Sequence, residues 1–186
     1  MNLENVLFGG AGLAFGVLIP VYAQNRYHIA ISTAGIVLSA QAIALAVVAA
    51  FTSYHLRRTG YRRPMAVGAI VVAVSLVFLS IGARGLPPYW WLSLFAALSG
   101  IGLGAAIPAA NNAILSLAPD QVAAISGIRV TFRQAGSILS VSTITAVLNR
   151  SGDPGLAQAH AFWLLALLLV VAAALTPAIP EAHRGW

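Results

Sequence analysis

Apolar residues in this chain come in six runs of about the length that a lipid bilayer demands, and that pattern leaves few folds open. A bilayer core of roughly 30 Å takes about 20 apolar residues in helix. The runs cover residues 5–24, 31–54, 64–83, 89–117, 121–149 and 157–179. The joints between them carry loop chemistry: Arg-Arg-Thr-Gly ahead of Pro64, Arg-Gly-Leu-Pro-Pro at 84–88, Pro119-Asp120, and Ser-Gly-Asp-Pro-Gly at 151–155. Every backbone N–H and C=O in lipid must be satisfied within the chain, which favours helices for runs of this length. The expectation is an all-α membrane protein: a single six-helix domain over residues 1–186, with no soluble domain and no low-complexity linker.

Composition supports lipid as the solvent. Only 8% of the residues are charged and 60% are hydrophobic, against about 25% charged in a typical soluble domain. The absence of cysteine excludes disulfides, thiolate metal sites and cysteine nucleophiles. The four histidines, His28, His55, His160 and His183, show no metal-ligand spacing, so no metal or other cofactor is expected. The N-terminus lacks the basic region and cleavage site of a signal peptide, so the first run is expected to be retained.

The formal charge is +6, and all ten basic residues are arginine. They lie mostly between or near the ends of the apolar runs, which fits anionic head groups rather than nucleic acid. Arg57, Arg58, Arg62 and Arg63 share the second joint with no acid beside them. The positive-inside rule places that joint in the cytoplasm. Six spans then put both termini there as well, and the outer joints keep only Arg26, Arg84 and Arg150.

An internal repeat is visible. Gly12, Gly16 and Pro20 in the first run match Gly100, Gly104 and Pro108 in the fourth, both reading G-x3-G-x3-P. Each opens a group of three helices (about 5–84 and 89–179), and three is odd, so the copies cross the membrane in opposite senses. Glycines four apart leave a groove for a neighbouring backbone. A proline one turn on removes a hydrogen bond and kinks the helix. Both are expected as packing and kink positions.

Polar side chains inside hydrocarbon usually face protein or a wet cavity. The cavity candidates are Tyr22, Gln24, Gln41, Asn111, Asn112, Arg129 and Arg133. In the fifth run Ser126, Arg129, Arg133, Gly136 and Ser140 recur at helical spacing and form one stripe. Arg133 lies roughly 18 Å along the helix from Gln121, too deep to snorkel easily. Two readings stay open for it: a structural guanidinium on carbonyls and water, or a cavity residue that meets a substrate or partner. The acids Glu4, Asp120, Asp153 and Glu181 all fall at or near the run ends. No span carries a carboxylate, so any proton carrier is expected to be supplied from elsewhere. An intramembrane enzyme is disfavoured, because no Asp, Glu or suitably placed His can act as base in a span.

Three stretches together resemble the C-terminal six-helix half of a major facilitator superfamily transporter, most closely the fourteen-span drug:proton antiporter branch. They are Leu18-Ile-Pro-Val-Tyr-Ala-Gln24 with Ser32-Thr-Ala-Gly35, Leu56-Arg-Arg-Thr-Gly-Tyr-Arg-Arg-Pro64, and the glycine-rich Ser99 to Pro108 stretch followed by Ile125-Ser-Gly127 and Arg133-Gln-Ala-Gly136. The resemblance implies a rocker-switch carrier whose first and fourth helices line a central cavity. It implies a cytoplasmic gate element at Arg57, Arg58, Gly60, Arg62 and Arg63. The implied partners are the bilayer, a small-molecule substrate, and either an N-terminal half or a second copy. The sequence departs from the pattern at Arg57 (usually aspartate), Ser53 (usually glycine) and Gln41 (often proline). The competing expectation is a truncated or non-transporting membrane scaffold.

Overall fold

The computed structural model describes residues 16–83, 85–117 and 121–175, all but short connections of it helical. Gly12, Glu4, Arg84, Pro119, Asp120, Glu181 and His183 lie outside the described residues. The elements are α1 (helical over residues 16–27), α2 (Ile31–Thr59), α3 (Arg62–Ile81), α4 (Pro88–Leu117), α5 (Val122–Arg150) and α6 (Pro154–Leu175). Ser32–Leu56, Arg62–Ile81, Pro88–Ala113 and Pro154–Ala174 are each long and apolar enough to cross a bilayer. The protein is a multi-pass membrane protein of six helices. α5, with 29 residues, has the length to span but carries Arg129, Arg133 and Gln134 along it.

Helix ends follow backbone chemistry more than composition. α1 runs three residues past the expected end and stops where His28 takes a positive φ of 55°. The Ile29 N–H then turns back to the Ala23 carbonyl at 3.1 Å. α2 runs to Thr59, because Leu-Arg-Arg is as good a helix former as the apolar residues before it. Gly60, at φ 68°, ends it with its N–H on the Leu56 carbonyl. The arginine-rich joint is therefore not an extended loop. It is a turn of Gly60 and Tyr61, with Arg57 and Arg58 in the last turn of α2 and Arg62 and Arg63 opening α3.

The start of α6 is fixed by Asp153 and Pro154. Proline suits the first helical position, where its missing N–H is not needed. Asp153 caps the helix: its Oδ1 accepts the Leu156 N–H at 3.0 Å. Asp153→Ala is expected to remove about 1 kcal/mol of stability, seen as a lower midpoint in detergent unfolding followed by circular dichroism.

α4 is the centre of the bundle. One face packs on α2 and the opposite face on α3, and α3 in turn packs on α6. Glycines make both contacts possible. A Cβ on Gly100 would collide with the Gln41 carbonyl oxygen of α2, and one on Gly104 would stand 2.7 Å from that of Leu45. On the far face, a Cβ on Gly102 would sit 2.6 Å from the Gly68 carbonyl oxygen of α3. The groove expected of Gly100 and Gly104 is present and filled by α2. No neighbour approaches Gly16 within 4 Å among the described residues.

The main core joins α1, α3, α4 and α6 through Leu18, Tyr22, Leu76, Leu79, Leu92, Phe162 and Leu169. Buried hydroxyls tie the helices together. Tyr22 donates to the Leu79 carbonyl at 2.8 Å, and Ser75 donates to that of Phe95 at 2.6 Å. A second small cluster of Leu56, Tyr61, Met65, Ala109, Ala110 and Ala113 sits beneath the Gly60-Tyr61 turn. It seats that turn on the part of α4 beyond Pro108.

Candidate functional site

Pro108 lies inside α4 and cannot donate to the Gly104 carbonyl one turn back. Past it the helix has two unlike faces. Ala109, Ala110 and Ala113 are buried against the turn, whereas Asn111 and Asn112 are exposed. Asn112 folds back, its Nδ2 donating to the Pro108 carbonyl at 3.3 Å. Asn111 reaches across to α5, where its Oδ1 accepts a hydrogen bond from Arg129 Nη1 at 2.5 Å. This pair is a polar link between α4 and α5.

Arg133 follows one turn further along α5, on the same side as Arg129. Arg129, Arg133, Ser126 and Ser140 are all half-buried, and Gly136, Ile144 and Leu148 are buried. The stripe read from spacing is thus the inward face of α5. Ile128, Val130, Phe132, Ile138 and Leu139 make up its exposed apolar surface. The Nε of Arg133 is shut off from solvent and has no hydrogen-bond partner.

The other expected residues lie elsewhere. Tyr22 is fully buried in the main core, edge-on to Tyr27 and Phe162 at ring distances of 5.8 and 5.2 Å. Gln41 is buried in the α2–α4 seam, its Nε2 donating to Ser99 Oγ at 3.0 Å. Ser99 passes that bond on to the Ala96 carbonyl at 2.8 Å. Both side chains hold helices together and have almost no surface of their own. Gln24 is exposed near the end of α1, away from the α4–α5 pair in its own element.

Three contacts had no counterpart in the sequence reading. Gln158, fully buried in the first turns of α6, donates from Nε2 to the Leu18 carbonyl of α1 at 2.6 Å. Ser75 and Ser99 bind carbonyls on and within α4. A lone glutamine opening an apolar run was the visible signal for the first. The serines, common in membrane helices, offered none.

A bundle with one glycine-packed central helix, a proline inside that helix and a polar stripe beside it is the architecture of a polytopic membrane protein. Residues 5–184 match the family model described as Major Facilitator Superfamily, and the chain belongs to that superfamily. It is 27% identical over 161 residues to the protein named "Uncharacterized MFS-type transporter YwoD" of Bacillus subtilis (strain 168), covering 86% of this chain and 34% of that protein. Among solved structures it resembles the inward-open xylose transporter XylE from E. coli, with TM-score 0.69, 21% identity, and coverage of 97% of this chain and 47% of that one. It also resembles a D-xylose-proton symporter, with TM-score 0.68, 22% identity, and coverage of 98% and 47%. The chain therefore spans about a third of the curated relative and about half of each solved transporter.

Proposed function

We propose that this chain is one six-helix unit of a secondary transporter that moves a small organic molecule by alternating access. The single observation that carries the reading is the Arg129–Asn111 link beside Pro108, with Arg133 one turn away. Polar groups at membrane depth are costly, and those that persist mark solute or ion paths. Superfamily membership points the same way. In this account Arg129, Arg133, Asn111 and Asn112 face the solute path, while Tyr22 and Gln41 support the helices around it. Gln24 lies at its outer mouth.

The helix groups 5–84 and 89–179 act as inverted repeats, and a second six-helix unit (a first half or a second copy of this chain) supplies the opposite wall. The arginine-rich turn faces the cytoplasm of a cell, as do both termini. The turn acts as a gate element because it rides on Ala109, Ala110 and Ala113, just past Pro108. Any movement of the far part of α4 is felt by both the gate and the asparagines. Resemblance to the drug:proton antiporter branch favours proton-coupled efflux. The proton-carrying acid then belongs to the other unit, since no span of this chain holds a carboxylate.

The chain has no cysteine, so single reporters need no cleared background. Asn112→Cys and Arg133→Cys are expected to react with a water-soluble methanethiosulfonate in sealed vesicles. Tyr22→Cys, Gln41→Cys and the exposed apolar Ile43→Cys are expected to stay unmodified. Inert cysteines at both 112 and 133, in folded protein, would remove the solute path from α4–α5.

A further inference from the structure

We infer that Arg133 is an anion-recognising residue, so that the solute carries a carboxylate, sulfonate or phosphate group; this rests on the transport reading above. The inference comes from a charge account of the described residues. Arg129 and Arg133 stand one helical turn apart, about 6 Å along α5. Arg129 donates from Nη1 to the amide oxygen of Asn111.

Arg133 has no hydrogen bond or ion pair among the described residues, and its Nε is both buried and unpartnered. Asp153 is the sole carboxylate among those residues. It caps α6, beyond the far end of α5 and roughly 25 Å along the helix from Arg133. Asp153 is therefore too far away to neutralise Arg133.

A half-buried guanidinium in a medium of low dielectric needs a counter-charge. The planar guanidinium, with its fork of donors, fits a carboxylate or phosphate in two-point contact. An anion at Arg133 would also be drawn toward Arg129, and through Asn111 it would pull the part of α4 beyond Pro108 toward α5. Binding would thus bear directly on α4 and on the turn seated upon it.

The test measures binding, so it can fail separately from transport. The 186-residue chain is placed in nanodiscs of phosphatidylcholine at low ionic strength. Radiolabelled benzoate is the probe, and benzylamine, the same ring with a positive charge, is the control. Saturable benzoate binding is expected, weakened roughly tenfold or more by Arg133→Gln and partly retained by Arg133→Lys. Size-exclusion profiles and helical circular dichroism establish that each variant is folded. Benzylamine binding should not change in Arg133→Gln.

Three results would overturn the inference: no saturable benzoate binding, binding within twofold of wild type in folded Arg133→Gln, or preference for benzylamine. A fourth is competition for benzoate by added phosphatidylglycerol, which would reassign the site to a lipid head group. Intact benzoate binding without any flux would instead sink the transport reading and leave the anion site standing.

Discussion

Gly100→Leu is expected to leave no folded protein in detergent, while Gly16→Ala and Gly127→Ala are recovered like the wild type. Position 100 has no room at all, because even a Cβ there would collide with the Gln41 carbonyl oxygen. Backbone oxygens do not rotate away as side chains do. Nor can α4 back off to make space. Gly102 stands on its opposite face, where a Cβ would lie 2.6 Å from the Gly68 oxygen, so a shift away from α2 drives α4 into α3. The substitution also breaks the seam that holds the Gln41–Ser99 hydrogen bond. Overpacking of this kind costs about 3 kcal/mol or more, enough to empty the folded state of a marginally stable protein. Gly16 and Gly127 meet nothing within 4 Å among the described residues, and alanine there gains about 0.5–1 kcal/mol of helix preference. A fluorescent C-terminal fusion followed by size exclusion reads all three. A monodisperse Gly100→Leu peak would contradict the clamped position of α4.

The second large effect concerns orientation. Replacing Arg57, Arg58, Arg62 and Arg63 together by glutamine is expected to invert the chain or give a mixture of both orientations. With those four present, the proposed inner side holds them and Arg184, against Arg26, Arg84 and Arg150 outside. Without them the count becomes one inside against three outside, and the bias that sets topology reverses. The short Gly60-Tyr61 turn makes the effect sharper, because all four charges lie within a few residues of two span ends. Such proximity is the range over which arginine counts decide topology. A cysteine placed in the last described turn of α6 and labelled from outside intact cells reports the orientation. Unchanged labelling in the quadruple variant would show that these arginines do not orient the protein.

How far the residues announced this arrangement depends on the kind of contact. Helices were readable because runs of hydrophobic length repeat six times, and the described part shows helix in all six. Their ends were less so. Arg57 and Arg58 look like loop residues by charge, yet arginine is a good helix former, and only the backbone at Gly60 stops α2. The glycine groove at Gly100 and Gly104 could be read from spacing, but not its occupant, since spacing carries no information about which helix comes near. Gly102, two positions from each, is invisible to an i, i+4 pattern and proves to serve the opposite face.

The polar residues divide in the same way. Arg129, Arg133, Ser126 and Ser140 share a helix, so periodicity alone put them on one side, and that side is the inward one. Asn111 and Arg129 are 18 positions apart on different helices. Their meeting depends on how α4 and α5 pack, which no local pattern records. Gln41 and Tyr22 showed the same ambiguity: a polar group in a span can line a path or bind a neighbouring helix. Here Ser99 and the Leu79 carbonyl provide the partners.

The claim that this six-helix chain is a working unit of a secondary transporter meets its most direct test in sealed proteoliposomes. The purified chain is reconstituted alone and together with a candidate first-half protein, and loaded with a cationic and an anionic dye in separate preparations. Dye movement is then followed after a proton gradient is imposed. The account predicts gradient-dependent flux in at least the paired preparation, lost when the gradient is collapsed. No flux of either dye in either preparation, with both proteins folded and inserted, would contradict it and leave a non-transporting membrane scaffold.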